Sequence, residues 1–161
     1  VQRLPNKYEI NGMKITTFSK GSFSSYINGS KESDWVKSIN TVVHEMSHAY
    51  TSQMVYQELI DQKMPYDFKM RYQVIYTEKE QKILMRITDV FPSRELIPLI
   101  PKQLRTLRFG TYIDAPQLLG TQQHGIYGLL DEWNAYYQGT KASYELFDYY
   151  AKKNTAASWL E

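Results

Sequence analysis

Between Trp35 and Tyr50 the apolar residues recur with a helical period: Trp35, Val36, Ile39, Val42, Val43, Met46 and Tyr50. Set into that run are His44 and His48, four residues apart, with Glu45 beside the first of them. Residues four apart lie on one face of a helix, about one turn from each other. Imidazole and carboxylate groups on a largely apolar helix need partners, because burying them unpaired is costly. The chain must therefore build one long helix here and bring something to that face. Two neutral imidazoles at this spacing can ligate one metal ion. Glu45, angled to the side, can reach water at the same ion. The chain has three histidines, and two fall within His44-Glu45-Met46-Ser47-His48.

A catalytic zinc site takes three protein ligands, and with no cysteine in the chain they must be nitrogen or oxygen. The metzincin pattern, with Gly and His three and six residues after the second histidine, is excluded by Thr51 and Met54. The remaining candidates for the third ligand are His124 and Glu132. Glu132 shares its helical face with Gly125, Gly128, Ala135, Tyr136 and Gly139. Glycine inside a helix costs about 1 kcal/mol relative to alanine, so a stripe of glycines needs a compensating reason. Close approach of a second helix is such a reason, and it would carry Glu132 to the histidine pair. The alternative is a Gly-rich core helix with Glu132 paired to a cation.

The combination of His44-Glu45-Met46-Ser47-His48 with a downstream helical Glu132 resembles the gluzincins, zinc metallopeptidases that include thermolysin-like and aminopeptidase-like enzymes. The resemblance covers those two segments only. It implies a zincin-like fold, a Zn2+ cofactor, His44, His48 and Glu132 as ligands, Glu45 as general base, and a peptide or protein substrate. Several gluzincins carry an Asp shortly after the Glu ligand, which orients a ligand histidine. Here Asn134, Ala135 and Tyr136 stand in that region, leaving Asn134 or Tyr136 as candidates for that hydrogen bond. The resemblance also suggests His124, or Tyr127, as the donor that stabilises the tetrahedral intermediate. A local hydrogen bond at a helix N-terminus is the competing role for His124.

The rest of the chain punctuates readily. Residues 7–18 read as a hairpin: Tyr8-Glu9-Ile10 and Met13-Lys14-Ile15 flank Asn11-Gly12, a type I′ turn signal. A Ser/Gly-rich loop occupies 19–30. The long helix is expected from an N-cap near Ser33, with Asp34 in its first turn, to about Gln62. Period two takes over at 68–76, where Phe68, Met70, Tyr72, Val74 and Tyr76 alternate with polar residues. It resumes after Glu78-Lys79-Glu80-Gln81 with Ile83, Met85 and Ile87, giving a second hairpin. The 68–76 strand is a candidate edge for an extended peptide. Pro92, Pro98 and Pro101 interrupt the chain beyond this hairpin. A short helix is expected over about 101–107, loops at Gly110 and Gly120, and a last long helix from His124 or Gly125 toward Lys153.

At 161 residues the chain is long enough for a real core, and a single domain over 1–161 is expected. The expected fold class is α+β: the resemblance implies a zincin-like core, with two long helices crossing at the metal site and a small antiparallel sheet. A net charge of +2 gives no case for nucleic acid or an anionic membrane, and no apolar run is long enough for membrane insertion. The fourteen tyrosines suit the edges of a core, or a cleft that grips a polymer. The sequence opens on Val1, so the missing signal peptide says nothing about export. The expected location is extracellular or the cell envelope of a bacterium. The expected function is zinc-dependent hydrolysis of peptide bonds. The rivals are a zinc-binding scaffold or interaction module without turnover, and a metal hydrolase acting on a non-peptide amide.

Overall fold

A computed structural model describes residues 4–17, 22–77, 81–116 and 119–153. The elements, in chain order, are strands β1 (Lys7–Ile10) and β2 (Met13–Thr16), helix α1 (Glu32–Asp61), strands β3 (Arg71–Tyr76) and β4 (Lys82–Ile87), and helices α2 (Phe109–Tyr112), α3 (Gly120–Gln123), α4 (Ile126–Glu145) and α5 (Phe147–Lys152). Short 3-10 segments fall at Phe23–Tyr26, Ser93–Leu99 and Lys102–Leu104. The architecture is mixed: helices with two small antiparallel sheets of two strands each. No helix among the described residues is long and apolar enough to cross a membrane. The chain divides into two compact units, residues 1–66 with 134–161, and residues 67–133. The division falls inside α4, which is one unbroken helix.

In the first unit, β1 and β2 pair from Lys7–Thr16 to Ile10–Met13. Asn11 and Gly12 both have positive φ, 51° and 78°, as a type I′ turn requires. Tyr8 and Ile10 share the buried face of β1, and the Tyr8 ring lies 5.4 Å from that of Tyr56 on α1. Met54, Val55 and Leu59 of α1 are buried in this core, as are Ala135 of α4 and Tyr150 of α5.

Helix α1 runs 30 residues. Its N-cap is Lys31 rather than Ser33. The residue that organises the start is Asp34, whose carboxylate accepts the Lys31 backbone N–H at 3.1 Å. At the other end Lys63 takes a left-handed φ of 50°. The Met64 N–H reaches the Leu59 carbonyl at 2.9 Å and the Lys63 N–H that of Ile60 at 3.1 Å. This is a Schellman ending, and Pro65 comes directly after it.

The two long helices pack together, and glycine is the reason at one point. A Cβ on Gly139 of α4 would lie 2.7 Å from Asn40 Oδ1 and 2.9 Å from the Asn40 carbonyl oxygen on α1. Gly128, expected to serve the same crossing, instead faces the Gly120 carbonyl and Thr121 Cα of α3. It lets α3 fold back on α4. Gly125 has φ 55° and lies against the Phe91 carbonyl, so it turns the chain into α4 where a side chain would not fit. Gly139→Ala should therefore lower the denaturation midpoint by the equivalent of about 1–3 kcal/mol. Gly110→Ala, where a Cβ meets nothing within 4 Å, should raise stability by up to about 1 kcal/mol. Equal midpoints for the two variants would remove the close approach.

In the second unit, β3 and β4 pair from Arg71–Ile87 to Tyr76–Lys82. The strand begins later than its alternation suggests. Phe68 lies in a turn and is exposed, and Asp67 caps that turn by accepting the Lys69 and Met70 N–H groups. Val74 and Ile75 are both buried, so the hairpin is covered on both faces at that point. The Glu78–Glu80 part of the expected connection lies outside the described residues. The expected helix over 101–107 reduces to the 3-10 turn Lys102–Leu104. Gly110 and Gly120 lie in short helices, not loops. A buried amide organises this region: Gln122 accepts the Arg94 N–H at 3.2 Å and donates to Ser93 Oγ and to the Ile113 carbonyl.

Candidate metal centre

The helical period of α1 puts His44, Glu45 and His48 on adjoining positions of one face. His44 is buried; Glu45 and His48 are half-buried. The Nε2 atoms of His44 and His48 face each other at 3.3 Å. One ligand atom from each of His44, His48 and Glu132 lies within 4.8 Å of the others. This is the group among the described residues whose spacing suits a metal ion. A tetrahedral ion with metal–nitrogen distances of about 2.0–2.1 Å holds two of its nitrogens roughly 3.3–3.4 Å apart. The histidine pair is thus already spaced as one edge of such a tetrahedron. With Cys absent, the donor set is two imidazoles and a carboxylate, which suits a borderline divalent cation.

Neighbouring side chains hold this face in place. The Tyr136 ring, one turn beyond Glu132 on α4, meets the His44 ring edge-on, with centroids 4.4 Å apart. Ser47 and Thr51 bond back to the helix, donating to the Val43 carbonyl at 2.7 Å and the Ser47 carbonyl at 2.9 Å. Their hydroxyls are thereby used locally. Asn134 hydrogen-bonds neither His44 nor His48. Its amide is buried, and neither its nitrogen nor its oxygen has a hydrogen-bond partner. Two residues on from Glu132, it points to a different side of α4. Of the two substitutes for the missing Asp, Tyr136 is the one that touches a histidine of the group, His44.

His124 is not part of the three-residue group. It does not start α4 either, but caps the C-terminus of α3, with Gly125 between it and the long helix. Arg71 on β3 lies beside it, with Nη1 3.4 Å from His124 Nδ1. A guanidinium only donates, so Nδ1 is the acceptor and the neutral ring carries its hydrogen on Nε2. Burial and the neighbouring Arg71 charge push the His124 pKa below its ordinary value of 6.5, against a smaller opposing pull from Asp131. Tyr127, the other candidate donor, has its hydroxyl 3.4 Å from that of Thr88. The Arg71–His124 pair spans 53 residues, and nothing local in the sequence announces it.

A lowered pKa means that folding favours neutral His124. Its contribution to stability should be full above about pH 6.5 and fall away as the pH drops from there through the folded value. An NMR titration should find His124 titrating below 6.5, and Arg71→Gln should move it back upward. A His124 pKa at or above 6.5 would contradict this arrangement.

Compared with known proteins, the chain matches no family model, no curated protein and no solved structure.

Proposed function

We propose that the protein is a zinc-dependent peptidase of gluzincin type with a zincin-like core. The observation that carries this reading is the 3.3 Å separation of the two histidine Nε2 atoms, with the Glu132 carboxylate within 4.8 Å. His44, His48 and Glu132 would hold the ion. When bound, zinc supplies Lewis acidity, lowering the pKa of water and polarising a carbonyl. Glu45 comes directly after the first ligand and is not one of the three grouped ligands. In this reading it takes the proton of the attacking water and delivers it to the leaving amine. Tyr136 restrains the His44 ring. His124, held neutral with its hydrogen on Nε2, is the proposed hydrogen-bond donor to the tetrahedral oxygen. A secreted or cell-envelope setting is part of the same proposal.

The test is digestion of a broad peptide library by the zinc-loaded protein, with and without chelator. Cleavage that chelator abolishes and added zinc restores is the expected outcome. Tight zinc binding without cleavage of any peptide would make the chain a metal-binding scaffold instead.

A further inference from the structure

In the second unit, the segment between β4 and α2 leaves three leucines in water. Leu99, Leu104 and Leu107 are 74%, 64% and 86% exposed. A single exposed leucine is ordinary, but three within one short segment call for a partner. Their exposure is built into the loop. Pro98 and Pro101, both exposed, fix their own φ angles. Arg105 folds the chain back on itself, its Nε donating to the Ile100 carbonyl at 3.1 Å and its Nη2 to the Ile97 carbonyl at 2.9 Å. Its guanidinium carbon also lies 4.9 Å from the centre of the Phe109 ring, a cation–π contact. The Leu104 N–H reaches the Pro101 carbonyl at 2.9 Å, and the Phe109 N–H that of Thr106 at 3.0 Å. The backbone is thus fastened internally while the leucines stay outside.

The charge around these leucines has one sign. From residue 96 to 113 the sequence holds Lys102, Arg105 and Arg108 and no acid, a local charge of +3 against +2 for the whole chain. The remainder of the chain is therefore slightly acidic, and the overall balance conceals a basic segment. Asp114, the first acid beyond it, is paired with Arg94 at 3.5 Å. Cations feel an anionic surface within about a Debye length, roughly 8 Å at physiological ionic strength. The order Leu99, Lys102, Leu104, Arg105, Leu107, Arg108 interleaves apolar and cationic side chains. A protein groove that grips leucines reads them at a regular helical or strand spacing. Here they end two 3-10 segments and occupy the turn that follows, which offers no such register. A bilayer interface requires none. Headgroup phosphates take the cations, and apolar side chains reach about 5–10 Å into the headgroup–acyl boundary.

We infer that the 99–107 segment docks the protein peripherally on an anionic lipid bilayer. Leu99, Leu104 and Leu107 enter the interface, and Lys102, Arg105 and Arg108 supply the attraction. The docking needs no spanning helix and does not depend on the peptidase reading. The experiment is cosedimentation of the full chain with vesicles of phosphatidylcholine containing phosphatidylglycerol, and with vesicles of phosphatidylcholine alone. Wild type should bind the anionic vesicles at least about tenfold more tightly than the neutral ones. Lys102→Glu should weaken that binding by about tenfold or more, because it exchanges attraction for repulsion. Leu104→Ser combined with Leu107→Ser should weaken it by about tenfold or more at unchanged charge, the scale of one buried leucine lost. Leu99→Ser is an independent second variant with the same direction. All four side chains are exposed, so the thermal midpoints should match wild type. Equal affinity for the two kinds of vesicle, or none for either, would overturn the docking. So would binding that Lys102→Glu abolishes and every leucine variant keeps, which would leave electrostatic adsorption only. Self-association that the leucine variants abolish, without vesicle binding, would make a second copy of the chain the partner instead.

Discussion

Replacing Glu45 with glutamine should leave zinc bound and reduce peptide turnover by at least about two orders of magnitude, the usual scale for losing a general base. The substitution keeps the size of the side chain and removes only its ability to take a proton. Glu45 lies outside the group of His44, His48 and Glu132, so the three residues that could hold an ion are unchanged. Zinc content by mass spectrometry and kcat on a cleaved peptide read the two consequences separately. Loss of zinc in Glu45→Gln would make Glu45 a ligand. Undiminished turnover would remove it from the chemistry.

Glu132→Ala should have the opposite pattern and lose zinc. Two imidazoles on one helix turn remain in that variant, but the carboxylate from α4 is gone. Outer-shell partners of metal ligands already account for about 10–100-fold in affinity, so removing a ligand outright should exceed about 100-fold. Competition with a chromophoric chelator measures it. Affinity equal to wild type would return Glu132 to the role of an ordinary charged residue on a packed helix, and the third ligand would have to come from elsewhere.

What the sequence announces about this fold is what repeats locally. The apolar period from Trp35 to Tyr50 places α1, and Asn11-Gly12 places the first turn with both residues at positive φ. The spacing of His44 and His48 leads directly to two facing nitrogens. Glu132 is within reach of sequence reasoning because helices have a face, and its face is rich in small residues. The same inference overreaches at Gly128. A small residue says that something comes close, not which element does, and there it is α3. The late start of β3, the break between α3 and α4 at Gly125, and the amide of Gln122 joining Ser93, Arg94 and Ile113 all depend on contacts distant in sequence. Asn134 illustrates the limit from the other side. Its closeness to Glu132 along the chain suggests a shared task, yet two helix positions turn a side chain well away from its neighbour's direction. The polar cavity at the start of α1 is equally hidden, because Tyr26 and Asn28, which line it together with the helix, lie in a segment with no periodic signal.

Zinc stoichiometry and coordination in the purified full chain test the metal centre most directly. Equilibrium dialysis coupled to metal analysis should give one zinc per chain. X-ray absorption at the zinc edge should show two imidazole nitrogens at about 2.0–2.1 Å with the remaining ligands oxygen. No bound zinc, or bound zinc whose spectrum lacks the two imidazoles, would contradict a site built from His44, His48 and Glu132.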